Sequence, residues 1–221
     1  MRYYISDLHF SHTDLLYDKD CREFKTIEEM NTFMLNRWNT RVTDADEVII
    51  LGDFCNGSAS EAERLLKQLK GRKCLLIGNH DRFLSDPGFD RSLFAWIAPY
   101  QEIYDAGRSV ILSHYPVMFY KGQYRRDGAG KPKTWMLYGH LHDSEDEKMM
   151  NSYIMEMRSV IRLTRSAPEP EPIPCQMINC FCGFSDYLPL TLDEWIENDR
   201  ARRRDMYKNT SDTESVYPVN P

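Results

Sequence analysis

Five short apolar segments of this chain are each followed at once by side chains that can bind a metal. The segments span residues 2–6, 47–51, 74–77, 110–113 and 135–138. The groups that follow them are Asp7-Leu8-His9, Gly52-Asp53, Gly78-Asn79-His80-Asp81, His114 and Gly139-His140-Leu141-His142. Short apolar runs of this length predict strands. Because ligands of α/β proteins bind beyond the carboxyl ends of the strands, the five groups can meet at one sheet edge.

The residue types in these groups indicate divalent transition metals. Carboxylate and amide oxygens combined with imidazole nitrogens suit Mn, Zn, Fe, Ni or Co, whereas calcium prefers oxygen ligands alone. There are enough ligands for two adjacent ions, with one histidine left to carry a proton. Asp53 is suited to bridge the ions, since Gly52 before it allows a close backbone approach. His140 and His142 are expected to reach different ions.

The series resembles the calcineurin-like metallophosphoesterase superfamily, whose pattern runs D-x-H, GD, GNH followed by an acid, H, and GHxH. All five blocks are present in order within residues 1–142. The resemblance is closest to small bacterial and phage-type phosphoesterases, which begin with a strand running into SDLHF, here residues 6–10. It implies an α/β fold of two packed mixed β-sheets flanked by helices, a four-layer αββα sandwich.

The resemblance also implies two sets of metal ligands that share Asp53. One set is Asp7, His9, Asp53 and His142, and the other is Asp53, Asn79, His114 and His140. Manganese is the preferred ion. In the implied mechanism, a hydroxide bridging the ions attacks phosphorus in line. His80 protonates the leaving oxygen, and Asp81 favours the charged form of His80 and orients its ring.

Three further side chains are candidates for contact with substrate, besides Asn79. Arg125 and Arg126 belong to a basic, glycine-containing loop, residues 121–133, that lies between the strands leading to His114 and His140. We predict that this loop lies near the site and contacts phosphate; the alternative is a solvated loop. His12 is the histidine outside the series. It is predicted either to touch substrate or to be an ordinary loop histidine that starts a helix.

These features predict a metal-dependent phosphoric ester hydrolase acting on mono- or diesters, with nucleotide-like or phosphodiester substrates favoured. A nuclease is the first alternative, and a non-catalytic interaction scaffold of the same fold is the second. The chain carries 28 basic and 34 acidic residues, a formal net charge of −6. This balance argues against attraction to nucleic acid or to acidic membranes and favours a small-molecule partner. No signal for an oligomeric state was identified.

We predict one domain over residues 1–198 in a cytoplasmic protein, because no long apolar segment or signal region is present and no C-x-x-C spacing occurs. Within it, residues 143–174 are predicted to form a helix capped by Ser144 and Glu147 and extending to Ile161, followed by a proline- and glutamate-rich connector. Capping boxes also predict helices after Thr26, Ser58 and Thr191. Residues 199–221 are predicted to be a polar, disordered tail.

Overall fold

The computed structural model describes residues 1–17, 22–164 and 167–211. The first sheet is parallel throughout. Its strands, in spatial order, are β1 (Arg2–Ile5), β2 (Glu47–Ile50), β3 (Arg72–Leu76) and β4 (Ile97–Ala98). The second sheet contains β5 (Tyr100–Asp105), β6 (Arg108–Ser113), β7 (Thr134–Tyr138) and β10 (Met177–Asn179). Its spatial order is β10-β7-β6-β5, and only β5 runs antiparallel to its neighbour. Strands β8 (Ile161–Thr164) and β9 (Ala167–Pro172) form a separate hairpin.

Within the described residues, four α-helices flank or cover the sheets. They are α1 (Ile27–Arg41), α2 (Ala59–Gln68), α3 (Glu145–Ser159) and α4 (Leu192–Ser211). The second sheet packs against other layers on both of its faces, because successive side chains of a strand point to opposite faces. Trp135 and Leu137 of β7 pack in a cluster with residues of the first sheet, whereas Met136 and Tyr138 pack with Ile154 of α3. Side chains of α1 and α2 cover the outer face of the first sheet. The predicted four-layer αββα sandwich is therefore confirmed.

Helix caps follow the sequence at three of the four predicted positions. Thr26 and Ser58 accept hydrogen bonds from the backbone three residues later, and Thr191 exchanges bonds with Glu194. The cap at Ser144 was predicted wrongly, because its side chain makes no cap hydrogen bond. The intended partner, Glu147, is buried and instead accepts from the hydroxyl of Tyr138 at 3.0 Å.

The segment after α3 differs from the prediction of a surface connector. The helix ends at Ser159, and the proline- and glutamate-rich run becomes strand β9, paired with β8. Residues that precede proline favour extended backbone, and an exposed two-stranded hairpin tolerates proline because few of its amides must be paired. The proline- and glutamate-rich composition that predicted a loop therefore belongs here to an exposed strand.

The carboxyl-terminal tail was also predicted to begin too early. Helix α4 continues through residue 199 to Ser211, because its arginines have partners in the fold. Arg203 donates to Asp199 at 2.8 Å and to the side chain of Asn151, and Arg202 bonds Glu147 at 3.2 Å. Residues 212–221 lie outside the described residues.

Two absences among the described residues bear on the sequence predictions. None of the helices in the described ranges is long and apolar enough to cross a bilayer. The five cysteines within those ranges are all buried and unpaired by disulfides.

Candidate metal centre

The predicted ligand groups converge at one edge of the molecule, where strands of both sheets end. Asp7 and His9 follow β1, Asp53 follows β2, and Asn79 follows β3 in the first sheet. The second sheet contributes the other three, with His114 directly after β6 and both His140 and His142 after β7. The centre therefore lies across the boundary between the two sheets.

The first cluster of ligand atoms comprises Asp7, His9 and His142. Nε2 of His9 lies 3.1 Å from Nε2 of His142. Nε2 of His142 in turn lies 3.6 Å from Oδ1 of Asp7. Asp7 and His9 are buried, while the His142 side chain is 15 % exposed. Three potential ligands thus face one point that solvent can reach from the His142 side.

The second cluster comprises Asp53, His114 and His140. Nε2 of His114 lies 3.5 Å from Oδ2 of Asp53 and 2.9 Å from Oδ1 of Asn79, which adds a fourth potential ligand. The same Oδ2 of Asp53 lies 3.4 Å from Nε2 of His9 in the first cluster. One carboxylate oxygen therefore lies between the two clusters.

The donor atoms fit a pair of divalent cations. Ligands about 2.0–2.2 Å from a shared ion lie about 3.0–3.6 Å from one another, which is the spacing within each cluster. The electrostatics of the site also favours bound cations, because burial and then repulsion from Asp7 raise the pKa of Asp53 to about 7. A buried carboxylate whose ionisation is opposed in this way favours a positive charge beside it. The residues present therefore suit a divalent metal centre.

Backbone conformation at this edge is unusual. Five of the potential ligands have positive φ angles: Asp7 (55°), His9 (48°), Asp53 (54°), His140 (71°) and His142 (51°). Left-handed backbone costs free energy for residues other than glycine, and such residues cluster at functional sites. The tight turns they form aim successive side chains at a common point.

Three glycines allow the turns to approach the ligands. A Cβ atom on Gly78 would lie 2.2 Å from Oδ1 of Asp53, and one on Gly52 would lie 2.3 Å from Nδ1 of His114. On Gly139 it would lie 2.6 Å from Oδ2 of Asp7. The predicted close approach at Gly52 is therefore confirmed, and the same reason applies to the other two glycines.

Hydrogen bonds outside the clusters hold the ligands in place. Nδ1 of His114 donates to the carbonyl of Leu51 at 2.9 Å, which leaves Nε2 of a neutral ring as the ligand atom. The amide of His140 donates to Oδ1 of Asp7 at 2.9 Å, and the amide of His80 donates to Oδ1 of Asp53 at 2.7 Å. Oδ2 of Asp53 is the oxygen left facing both clusters.

Sequence comparison agrees with the site. The sequence model described as calcineurin-like phosphoesterase matches residues 3–209. The chain belongs to the calcineurin-like phosphoesterase family. Membership, together with the two His/Asp clusters, identifies it as a member of a family of metal-dependent phosphoesterases.

Three proteins that are similar to this chain of the calcineurin-like phosphoesterase family have names that state no activity. The chain is 29 % identical over 179 residues to the uncharacterized protein MJ1445 of Methanocaldococcus jannaschii, covering 80 % of this chain and 88 % of that protein. It is 27 % identical over 164 residues to the gene 66 protein of Mycobacterium phage D29, covering 63 % and 77 %. A solved structure, the protein of unknown function AQ665 from Aquifex aeolicus, has a TM-score of 0.56 at 22 % identity and covers 88 % of this chain and 96 % of that one. This last likeness shows the fold.

His80, the predicted proton donor of this phosphoesterase, lies beside the clusters and belongs to neither of the two that hold Asp7 and Asp53. Its ring centroid is 5.1 Å from that of His9 and 5.3 Å from that of His12. Burial, and then the neighbouring imidazole of His12, lower the pKa of His80 below its usual value. The ring is half-buried, so it can meet both the site and solvent.

Asp81 does not have the partner that the sequence suggested. Its carboxylate is buried and accepts hydrogen bonds from the backbone amides of Gly78 (2.8 Å), Asp53 (3.0 Å) and Phe54 (2.8 Å). Both oxygens are thus used to join the turn after β3 to the turn after β2. We therefore correct its role from orienting His80 to holding two ligand-bearing turns together.

The basic loop was predicted at the wrong edge of the molecule. Strands β6 and β7 are parallel, so the chain leaving His114 must cross back before β7 can begin. Lys133 and Arg125, joined by a backbone hydrogen bond of 2.9 Å, lie at the amino end of β7. The five residues of β7, at about 3.3 Å each, place them about 13 Å or more from the edge that carries His140. The second arginine, Arg126, bonds Glu171 and the carbonyl of Pro172, so neither arginine reaches the metal centre.

Two residues near the centre were missed by the sequence interpretation. Arg22 is buried and donates to the carbonyls of Asp7 and Leu8, both at 2.7 Å, beneath the first turn. Tyr115 is 49 % exposed, and its ring lies 4.5 Å from that of His140. Nothing in the sequence marks Arg22, since these two acceptors are backbone atoms. Tyr115 directly follows His114, and that adjacency was the available signal.

Proposed function

We propose that this chain is a dinuclear metal-dependent phosphoesterase that hydrolyses phosphate mono- or diesters, with nucleotide-like or phosphodiester substrates preferred. One observation carries the proposal. Oδ2 of Asp53 lies 3.4 Å from Nε2 of His9 and 3.5 Å from Nε2 of His114, between two clusters that are each suited to a divalent ion. A carboxylate in that position can be shared by both ions.

The proposed ligand sets follow the two clusters. Asp7, His9, Asp53 and His142 would hold one ion, and Asp53, Asn79, His114 and His140 would hold the other. A bound pair would stabilise negative charge on the phosphoryl oxygens and lower the pKa of a water molecule. Manganese is the expected ion, although Zn, Fe, Ni and Co suit the same donors. The two carboxylates neutralise only about half of the charge of two divalent ions, so the site attracts anions although the chain is acidic.

His80 is the proposed acid that protonates the leaving oxygen. It is half-buried and lies outside both proposed ligand sets, and one of its ring nitrogens lies within 4.8 Å of a ring nitrogen of His9 and one of His12. The backbone amide of His80 is fixed by its bond to Asp53, which sets the ring's position relative to the shared ligand. General acid catalysis of this kind contributes about 10²–10⁴-fold to a rate.

Tyr115 supports a substrate with a planar group. Its exposed ring flanks His140, and its hydroxyl lies 3.5 Å from Oδ1 of Asn79. An exposed aromatic side chain beside the reacting centre can stack on a base or another aromatic ring. This position favours nucleotide-like esters over small alkyl phosphates.

The test is hydrolysis by metal-free protein reloaded with Mn. We expect turnover of bis-p-nitrophenyl phosphate and of p-nitrophenyl phosphate, with the diester preferred. Asp53→Asn and His80→Ala should each lower turnover about 100-fold or more. Glu156→Gln, an exposed change on α3, serves as the matched control and should keep full turnover.

Other outcomes would contradict the proposal. Inert metal-loaded protein that binds a protein partner would support the scaffold alternative. Cleavage of single- or double-stranded DNA or RNA on gels, with no action on nucleotides, would support a nuclease. The two clusters of potential ligands, with His80 beside them, count against a scaffold, and the net charge of −6 counts against a nuclease.

A further inference from the structure

A second concave site lies at the opposite edge of the second sheet. It has a volume of about 700 Å³ and lies between the amino ends of β7 and β10 and the β8–β9 hairpin. Its lining includes Tyr124, Arg125, Arg126, Lys133, Arg162 and Glu171. The proposed ligands of the metal centre are absent from that lining. Small-molecule sites occupy about 300–1,000 Å³, so the cleft is large enough for a ligand of nucleotide size.

The charge of this basic cleft is opposite to that of the chain as a whole. Four cationic side chains line it against the single carboxylate of Glu171, on a protein whose net charge is −6. Arg126 has a structural role, since it pairs with Glu171 at 3.0 Å and donates to the carbonyls of Gly130 and Pro172, both at 2.8 Å. These contacts fasten the basic loop to the β8–β9 hairpin and form one wall of the cleft.

Two of the remaining cations are placed against each other. Arg126 and Pro132 form an antiparallel bridge, and the Lys133 amide donates to the Arg125 carbonyl at 2.9 Å, so Arg125 and Lys133 are directly opposite. Opposite residues of antiparallel strands point to the same face with Cβ atoms about 5 Å apart, and like charges there are destabilising. Both side chains are exposed, and within the described residues neither makes a side-chain hydrogen bond or ion pair. Asp127 attracts Lys133, but its Oδ1 accepts from the amides of Ala129 and Lys131, outside the lining.

The third cation, Arg162, also lines the cleft. The guanidinium carbon of Arg162 lies 4.4 Å from the ring centroid of Tyr124, within the range of a cation–π contact. We propose that the cleft is a second anion-binding site that takes a small oligophosphate between Arg125, Lys133 and Arg162. Several phosphate groups in a row match several cations, because charge-assisted hydrogen bonds to phosphate are the strongest available to these side chains.

The test is calorimetric titration of metal-free protein with inorganic tripolyphosphate, pyrophosphate and phosphate, in buffer freed of metal by chelating resin. We expect affinity to rise with the number of phosphates and to fall with added salt. The double variant Arg125→Gln/Lys133→Gln should weaken tripolyphosphate binding about tenfold or more. The matched control Lys67→Gln/Lys70→Gln removes the same charge from the region of α2 and should change the affinity less than about twofold.

Two outcomes would overturn the proposal. One is unchanged tripolyphosphate binding in the double variant; if that variant does not fold, Arg162→Gln gives the same comparison. The other is binding of a single-stranded oligonucleotide much more tightly than tripolyphosphate through the same residues, which would make the cleft a nucleic-acid surface. Asp53→Asn should bind tripolyphosphate within about twofold of the unsubstituted chain, because the cleft and the metal centre share no lining residue. Failure of this proposal is thus separate from failure of the phosphoesterase proposal.

Discussion

Nδ1 of His9 lies 3.2 Å from Nδ1 of His12, so one of these two rings donates a proton to the other. Nε2 of His9 faces His142 and Asp53, where a ligand atom must carry no proton. In a neutral ring the proton is then on Nδ1, and His12 is the acceptor. His12 is therefore placed to fix the tautomer and the orientation of a proposed metal ligand.

This arrangement predicts that metal affinity depends on an acceptor at position 12. His12→Ala should weaken Mn binding about 10–100-fold, as loss of a ligand's hydrogen-bond partner does. His12→Asn keeps an oxygen near the place of Nδ1 and should restore most of the affinity. Calorimetric titration of metal-free protein checks both values. Equal binding by His12→Ala and the unsubstituted chain would show that His12 does not position His9.

The raised pKa of Asp53 predicts how the metal-free protein responds to pH. Burial and Asp7 raise it to about 7 from the ordinary 3.8, so the folded state holds a proton that the unfolded state loses. The contribution of this group to stability is therefore full below about pH 4 and is lost as pH rises through about 7. Asp53→Asn should raise the melting temperature of metal-free protein more at pH 8 than at pH 4. A variant effect that is independent of pH would contradict the shift.

The close approach at Gly78 predicts a severe effect of one methyl group. Gly78→Ala would place a Cβ 2.2 Å from Oδ1 of Asp53 and 2.3 Å from its amide nitrogen. We expect a loss of about 1–3 kcal/mol in the free energy of unfolding, together with weakened metal binding. Gly128→Ala is the control, because a Cβ there meets nothing within 4 Å. Equal chemical-denaturation midpoints for the two variants would argue against this crowding.

The corrected role of Asp81 predicts a stability effect. Asp81→Asn replaces one carboxylate oxygen by an amide that cannot accept, so at least one of three backbone N–H groups loses its partner. The cost should be about 1–3 kcal/mol in unfolding, with metal affinity lowered as well. Had Asp81 acted only by orienting His80, the same change would lower turnover and leave both the melting temperature and the metal content unchanged.

The sequence predicted the convergence of ligands because that information is local. Each potential ligand comes within a few residues of a strand end, and parallel strands bring their carboxyl ends to one edge. The same reasoning gave the wrong position for the basic loop, residues 121–133. Arg125 also lies between two ligand-bearing strands, but which edge a connection reaches depends on the direction of its strands, and residue adjacency does not state that direction.

Other features depended on partners that the sequence does not mark. Asp81 and Arg22 bind backbone atoms, which every residue carries. Helix α4 continues past Asp199 because Arg202 and Arg203 meet residues of α3, about fifty positions earlier. A polar run of this kind gives the composition of a disordered tail when such distant contacts are unknown.

The position of the centre across both sheets would give bound ions a mechanical role. Asp7, His9 and Asp53 belong to the first sheet, and His114, His140 and His142 belong to the second. Any sliding or rotation of one sheet against the other changes the spacing of the donors. A cavity in the interior between the sheets, such as the one that Leu112→Ala would create, should therefore weaken metal binding.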